Sequence, residues 1–165
     1  MAHTVRAVFE LVRRFPVIVL MVVVGVGGYV FRDHLTGYVG DLRVSDCFDE
    51  PEAFAAGTTD EVEDVQHRPC SDPHDGEVFA VVNHHAGSSS AYPTEDAFGD
   101  FVGNNCVPAF EAYTGRLYRE ATEFDIGWFY PGPEGWDDGD RVVTCYVYRV
   151  DGSPLQGSVK AATAQ

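Results

Sequence analysis

Lysine is almost absent from this 165-residue chain: Lys160 stands alone against ten arginines. Basic residues number 11 in all against 26 acids, a formal net charge of −15. A surface so short of positive charge excludes nucleic acid as a partner, because phosphate contacts need Lys and Arg in number. It equally disfavours a domain lying flat on anionic lipid. Cysteine is sparse, and no two cysteines have C-x-x-C spacing, so the usual zinc ligand sets are missing. There is no G-x-S-x-G, no H-E-x-x-H and no internal repeat, which removes the commonest hydrolase signatures and repeat architectures. Long apolar runs are lacking too, with one exception.

The exception is Phe15 to Phe31, FPVIVLMVVVGVGGYVF, 17 residues without a charge. At 1.5 Å per residue it extends roughly 25 Å, slightly less than the ~30 Å hydrocarbon core of a bilayer. Arg13, Arg14 and Arg32 bound it and can reach the headgroups while their stems stay in the apolar layer. The segment is expected to be a single transmembrane helix. Arg6, Arg13 and Arg14 precede it, whereas from Asp33 onward 25 acids face 7 bases, a net of −18. Retention of positive charge in the cytoplasm predicts a cytoplasmic N-terminus (1–14) and an extracytoplasmic C-terminal domain at the plasma membrane. A cleaved signal peptide is the competing reading, but no Ala-x-Ala-like site follows the apolar stretch. Gly25, Gly27 and Gly28 lie within the span, with no βαβ unit after them. They suit helix packing in a bilayer, not phosphate binding.

All four cysteines, Cys47, Cys70, Cys106 and Cys145, follow the span. An even number on the translocated side of a small domain predicts two disulfides. Three pairings are possible, and Cys47–Cys70 with Cys106–Cys145 is the simplest. Loops of about 24 and 40 residues would each contribute roughly 3–4 kcal/mol through the unfolded state. No metal and no small-molecule cofactor is expected.

Along the chain, residues 32–41 read as a juxtamembrane linker and 42–160 as the folded domain, with a frayed tail at 161–165. Alternation over Leu42–Phe48 predicts a strand, followed by an exposed loop over 49–61 and a second strand from Val62. Ser71–Gly76 is dense turn chemistry, and Glu77–Val82 a buried strand. Thr94 is placed to cap a helix with the face Phe98, Phe101, Val102. A break is expected at Gly103-Asn104-Asn105, then a second helix from Cys106 with Pro108 in its first turn and Gly115 as its stop. Arg141–Val150 is the strongest strand, and Leu155–Val159 is placed to fold back on it as a hairpin. The fold class is α+β: an antiparallel sheet, stapled by disulfides, with one or two helices on a face.

Two blocks of residues, Asp46-Cys47-Phe48 and Pro69-Cys70-Ser71-Asp72-Pro73-His74-Asp75-Gly76-Glu77-Val78, resemble the septum-formation domain family of actinobacterial membrane-anchored envelope proteins. Cys106 with Ala109-Phe110 and Tyr113, Pro131, Trp136, Gly139-Asp140-Arg141 and Cys145 extend the likeness over about 41–150. Ser45 is a departure, since the family often carries glycine before the Asp-Cys pair. The resemblance implies an envelope-facing module, often tethered by one helix, and no defined reaction.

Asp72, His74, Asp75 and Glu77 form the strongest candidate site. Three carboxyls around an imidazole suit a metal, a pH switch, or a general base of an envelope hydrolase. They equally suit a capped turn or a protein contact, and no residue is assigned as catalytic. His84-His85 reads as an exposed loop pair. Trp128, Tyr130 and Trp136 form a candidate aromatic patch, with core packing as the alternative. The expectation is a non-enzymatic, membrane-tethered module that binds another envelope or membrane protein in septation or growth. An accessory subunit of a larger membrane complex is the alternative.

Overall fold

The structure, a computed structural model, describes residues 35–51, 62–87 and 89–162. The expected span at 15–31 and the N-terminus before it lie outside the described residues, as do most of the 49–61 loop and the last three residues of the tail. Among the described residues no helix is long and apolar enough to cross a membrane.

The β-branched and aromatic run VVTCYVYR forms the long strand β7, Val142–Arg149. It pairs antiparallel with β5, Gly76–Asn83, on one side and with β6, Phe124–Phe129, on the other. The remaining strands of this sheet are β1 (Thr36–Tyr38), β2 (Cys47–Asp49) and β3 (Asp64–Arg68). Its order is β1-β3-β2-β5-β7-β6, every neighbouring pair antiparallel. A second, two-stranded ladder joins β4 (Pro73–His74) to β8 (Leu155–Gln156). Pleating sends successive side chains of β7 to opposite faces. Val143, Cys145 and Val147 pack under the long helix, whereas Tyr146 joins Phe48, Val65 and Val78 in a second cluster. Gly127 lies beneath the Tyr146 ring, where a Cβ would collide with it, so any side chain at this position in β6 would have to displace that ring.

The helix α1, Glu95–Thr114, is continuous, and the expected break at 103–105 does not occur. Thr94 Oγ1 accepts from the Ala97 amide at 3.3 Å, Glu95 and Asp96 sit in the first turn, and Gly115 closes the helix at φ 69°. The buried face runs unbroken through Phe98, Phe101, Val102, Cys106 and Phe110. Burying each phenylalanine contributes on the order of 2–3 kcal/mol, which outweighs the lost helix bond at Pro108. That proline sits on the solvent side, where water can satisfy the carbonyl it leaves free. The second helix, α2, Pro133–Asp137, lies elsewhere and opens on a proline, whose fixed φ suits a first turn.

Three further expectations are corrected. Residues 42–46 do not form a strand: Asp46 Oδ2 accepts from the Arg43 amide at 2.9 Å and closes a turn, so β2 begins only at Cys47. Residues 36–38 are not a linker but the edge strand β1, paired with β3 in the register Thr36↔Gln66. Leu155-Gln156 does not return to β7, because β5 and β6 already occupy both of its edges; it pairs with β4.

Candidate functional site

Both disulfides form, as Cys47–Cys70 and Cys106–Cys145. The second bridges α1 and β7 inside the apolar core. The first borders a buried polar node.

That node is built by strand register. Cys47 in β2 lies directly opposite Glu77 in β5, which brings their side chains together on one face. The short strand β4, just before β5, adds His74. Cys47, His74 and Glu77 are 2%, 1% and 0% exposed. One ligand atom from each lies within 4.8 Å of the other two. Glu77 is held by three donors. Its Oε1 accepts from Tyr113 at 2.6 Å and from Ser158 at 2.5 Å, and its Oε2 from the Val159 amide at 2.7 Å. A buried carboxyl is tolerated only with such partners. A hydrogen-bonded chain leads outward from it. Lys160 Nζ donates to Ser45 Oγ at 3.3 Å, Ser45 and Tyr113 hydroxyls lie 3.0 Å apart, and Tyr113 donates to Glu77. Burial first, and then this bond to Glu77, push the Tyr113 hydroxyl up to about 12. The only lysine of the chain thus reaches towards Glu77, the most deeply buried acid among the described residues.

His74 is oriented by its own turn. Its Nδ1 lies 2.8 Å from the Asp72 carbonyl, which can only accept, so Nδ1 carries the hydrogen and donates. In the neutral ring the lone pair is then on Nε2, a buried atom without a hydrogen-bond partner.

The four-residue cluster read from the sequence is divided by the fold. His74 and Glu77 turn inward. Asp72 is exposed, and Asp75 Oδ2 accepts from the Glu50 amide at 3.1 Å. No three-carboxyl cage surrounds the imidazole. What sequence reasoning missed is Cys47, which no local motif connects to Glu77; only the β2–β5 pairing does. A base at His74 is sealed from solvent and reaches no substrate in this arrangement.

On the opposite sheet face Tyr146 donates to Glu50 Oε1 at 2.9 Å. Burial first raises the Glu50 carboxyl, the Tyr146 bond lowers it, and nearby Asp75 raises it. Tyr118 and Tyr148 both donate to Asp125, at 2.5 and 3.4 Å. Glu50, Asp75, Tyr148 and Arg149 line an open cavity of about 320 Å³.

The aromatic candidates separate. Trp136 is fully buried, its Nε1 donating to the Ser90 carbonyl at 2.9 Å and its ring beneath the Arg141 guanidinium at 3.8 Å. Trp128 in β6, the outer strand of the sheet, and Tyr130 just after it stay 37% and 41% exposed. Tyr130 stacks obliquely on Phe98 at 4.2 Å, and Tyr92 completes an aromatic rim there. His84 is not free on its loop: it packs against Phe101 at 4.6 Å and Trp136 at 5.1 Å, and burial lowers its pKa.

A family model described as septum formation matches residues 46–165. The chain belongs to the septum formation family. The match takes in β2 through β8 and both disulfides, and stops one residue short of Ser45. Neither the curated proteins nor the solved structures give a match to the chain. The family's description points towards septation or cell division and names no reaction.

Proposed function

We propose that this septum formation domain is a membrane-tethered, extracytoplasmic binding module that docks another envelope protein during septation or growth. The observation that carries the reading is the outer edge of β6. Among the described residues no strand pairs with its outer side, although the Phe124 amide donates to the Ala121 carbonyl and the Ile126 amide to Asp125 Oδ1, and Trp128 and Tyr130 are presented beside its far end. An open strand edge offers a row of main-chain donors and acceptors, and flanking aromatics supply the buried anchors that a protein contact needs. A net charge of −18 from Asp33 onward supports a protein partner over nucleic acid or an anionic membrane face. The apolar stretch at 15–31 supplies the tether in this reading, and the two disulfides suit an oxidising exterior. The sealed position of His74 favours binding over hydrolysis.

The test places a photo-crosslinking residue at Trp128, and in a second strain at Tyr38 on the opposite edge, in dividing cells. One discrete adduct from position 128, absent from position 38 and lost with Tyr130→Ala, is the expected result. Identical adducts from both edges, or none from either, would overturn the docking face. Thiol labelling of intact cells checks the topology. Cysteines that react only after the cells are opened, without reductant, would place the domain inside and remove the envelope role.

A further inference from the structure

Within the node around Glu77, the orientation of His74 stands out. A histidine that donates Nδ1–H to a backbone carbonyl, keeps a buried and unpartnered Nε2, and shares a cluster with a sulfur and a carboxyl whose ligand atoms lie within 4.8 Å of one another has the arrangement found around metal-bound imidazoles, where that carbonyl fixes the ring and tautomer. The third group, Cys47, is in the disulfide and so unavailable to a cation. Reduction changes this. We propose that the Cys47–Cys70 disulfide gates a zinc-type metal site, closed when oxidised and opened by reduction, in which Cys47, His74 and Glu77 are the ligands.

The chemistry balances simply. An external dithiol breaks the S–S bond by giving two electrons and two protons, leaving two thiols and closing to its own disulfide; a phosphine gives the two electrons and becomes its oxide, with water supplying the oxygen and the two protons. A divalent cation then displaces the Cys47 proton into solvent as the sulfur–metal bond forms. Without the metal, a Cys47 thiolate and the Glu77 carboxylate would be two anions within 4.8 Å, in a place closed to water. A divalent cation neutralises both. Thiolate, imidazole and carboxylate together suit zinc and exclude magnesium and calcium, which take oxygen ligands. Glu77 Oε2 accepts a single hydrogen bond, from Val159, and so keeps a lone pair for the metal. The reduced Cys70 is released beside the same site, its Cα 5.3 Å from that of Cys47, and is available as a fourth ligand. It is also the partly exposed cysteine of the pair, so reductant and metal enter from its side. Cys106 and Cys145 are wholly buried among apolar groups, with no such neighbours.

The experiment uses Co²⁺ as a spectroscopic probe and Zn²⁺ as its competitor on the full chain in detergent. In the Cys70→Ser variant Cys47 is a free thiol without added reductant. This variant should bind one Co²⁺ with thiolate-to-cobalt charge-transfer absorption, and Zn²⁺ should abolish that signal. The oxidised wild type should show neither. Adding His74→Ala to Cys70→Ser should weaken binding at least tenfold. Absence of the charge-transfer band in a folded Cys70→Ser variant overturns the site, as does binding that is insensitive to His74→Ala. If Cys70→Ser does not fold, the decision passes to the wild type under a mild phosphine. There Zn²⁺ should slow alkylation of the freed thiols at least tenfold, and an unchanged rate overturns the proposal. None of these readouts depends on the docking face at β6, so either idea can fail alone.

Discussion

The two disulfides of this domain are chemically unlike. Cys106–Cys145 joins α1 to β7 with both residues wholly buried, and its neighbours are Phe79, Phe110, Val143 and Val147. Cys47–Cys70 has one buried and one partly exposed residue, and borders an imidazole and a carboxyl. The first fixes a helix to a sheet in a place where nothing else can react. The second closes the rim of the β2–β5 pairing, where the fold has gathered its polar groups. One bond is a staple, and the other is a staple with chemistry beside it.

The largest expected effect comes from breaking them separately. With a sequence separation of 39, Cys106–Cys145 contributes about 4 kcal/mol by the chain-entropy estimate, and Cys47–Cys70, with a separation of 23, contributes roughly 3. The double variant Cys106→Ala/Cys145→Ala also leaves a void in the packed core, which adds to the loss. Urea unfolding should therefore rank it as the less stable of the two double variants. Mild reductant should act in the other order, opening the partly exposed Cys47–Cys70 first while the domain stays folded. Simultaneous loss of both bonds in a mass-resolved reduction series would erase the distinction drawn between them.

Next in size is the polar node that accompanies only one of the bonds. Tyr113, pushed up to about 12, has a folded value above the ordinary 10 of tyrosine. A group with a raised folded value holds its proton more tightly when folded. Its stabilisation is therefore complete below pH 10 and is lost as pH rises through 12. Tyr118, pushed up to about 12 by burial and by Asp125, contributes over the same range. Tyr113→Phe should remove one of these two contributions, so stability measured between pH 10 and 12 falls less steeply than in the wild type. At neutral pH the same change takes a donor from Glu77 and should destabilise by about 1–2 kcal/mol. An unchanged alkaline slope would mean that Tyr113 is not coupled to Glu77 as drawn.

Parts of this architecture were open to a reading of the sequence, and parts were closed for definite reasons. Thr94 and Gly115 mark the two ends of α1 by their capping chemistry, and RVVTCYVYRV declares β7 by composition. The expected break at Gly103-Asn104-Asn105 follows from Pro108, which costs a helix bond and clashes with the preceding turn. Tertiary burial of Phe101, Cys106 and Phe110 overrides it. β1 and β8 hold three and two residues, too short for an alternation to show, and their partners are fixed only once the other edges are occupied. For the site, His74 and Glu77 were visible as a dense polar block. Their true companion, Cys47, lies across a ladder, and the aspartates between them face other ways. A linear reading groups residues by adjacency, whereas β pairing groups them by register.

The smallest expected effect is the most discriminating, and it concerns Ser45. It is the one non-glycine residue with positive φ among the described residues, at 75°. A side chain there is disfavoured by roughly 1 kcal/mol, a cost that glycine would not carry. Serine's compensation is its hydroxyl, which accepts from Lys160 and lies 3.0 Å from Tyr113. Ser45→Gly removes backbone strain and those bonds together, terms of about 1 kcal/mol each and of opposite sign, so the melting temperature at neutral pH should barely move. The alkaline limb should move. Ser45 lowers the Tyr113 value by hydrogen bonding, opposing burial and Glu77, so its loss lets that value rise further. The pH at which stability is lost then shifts upward, opposite in direction to any general weakening of the node. A downward shift would show that Ser45 acts through the backbone alone and that the chain from Lys160 to Glu77 is not connected through it.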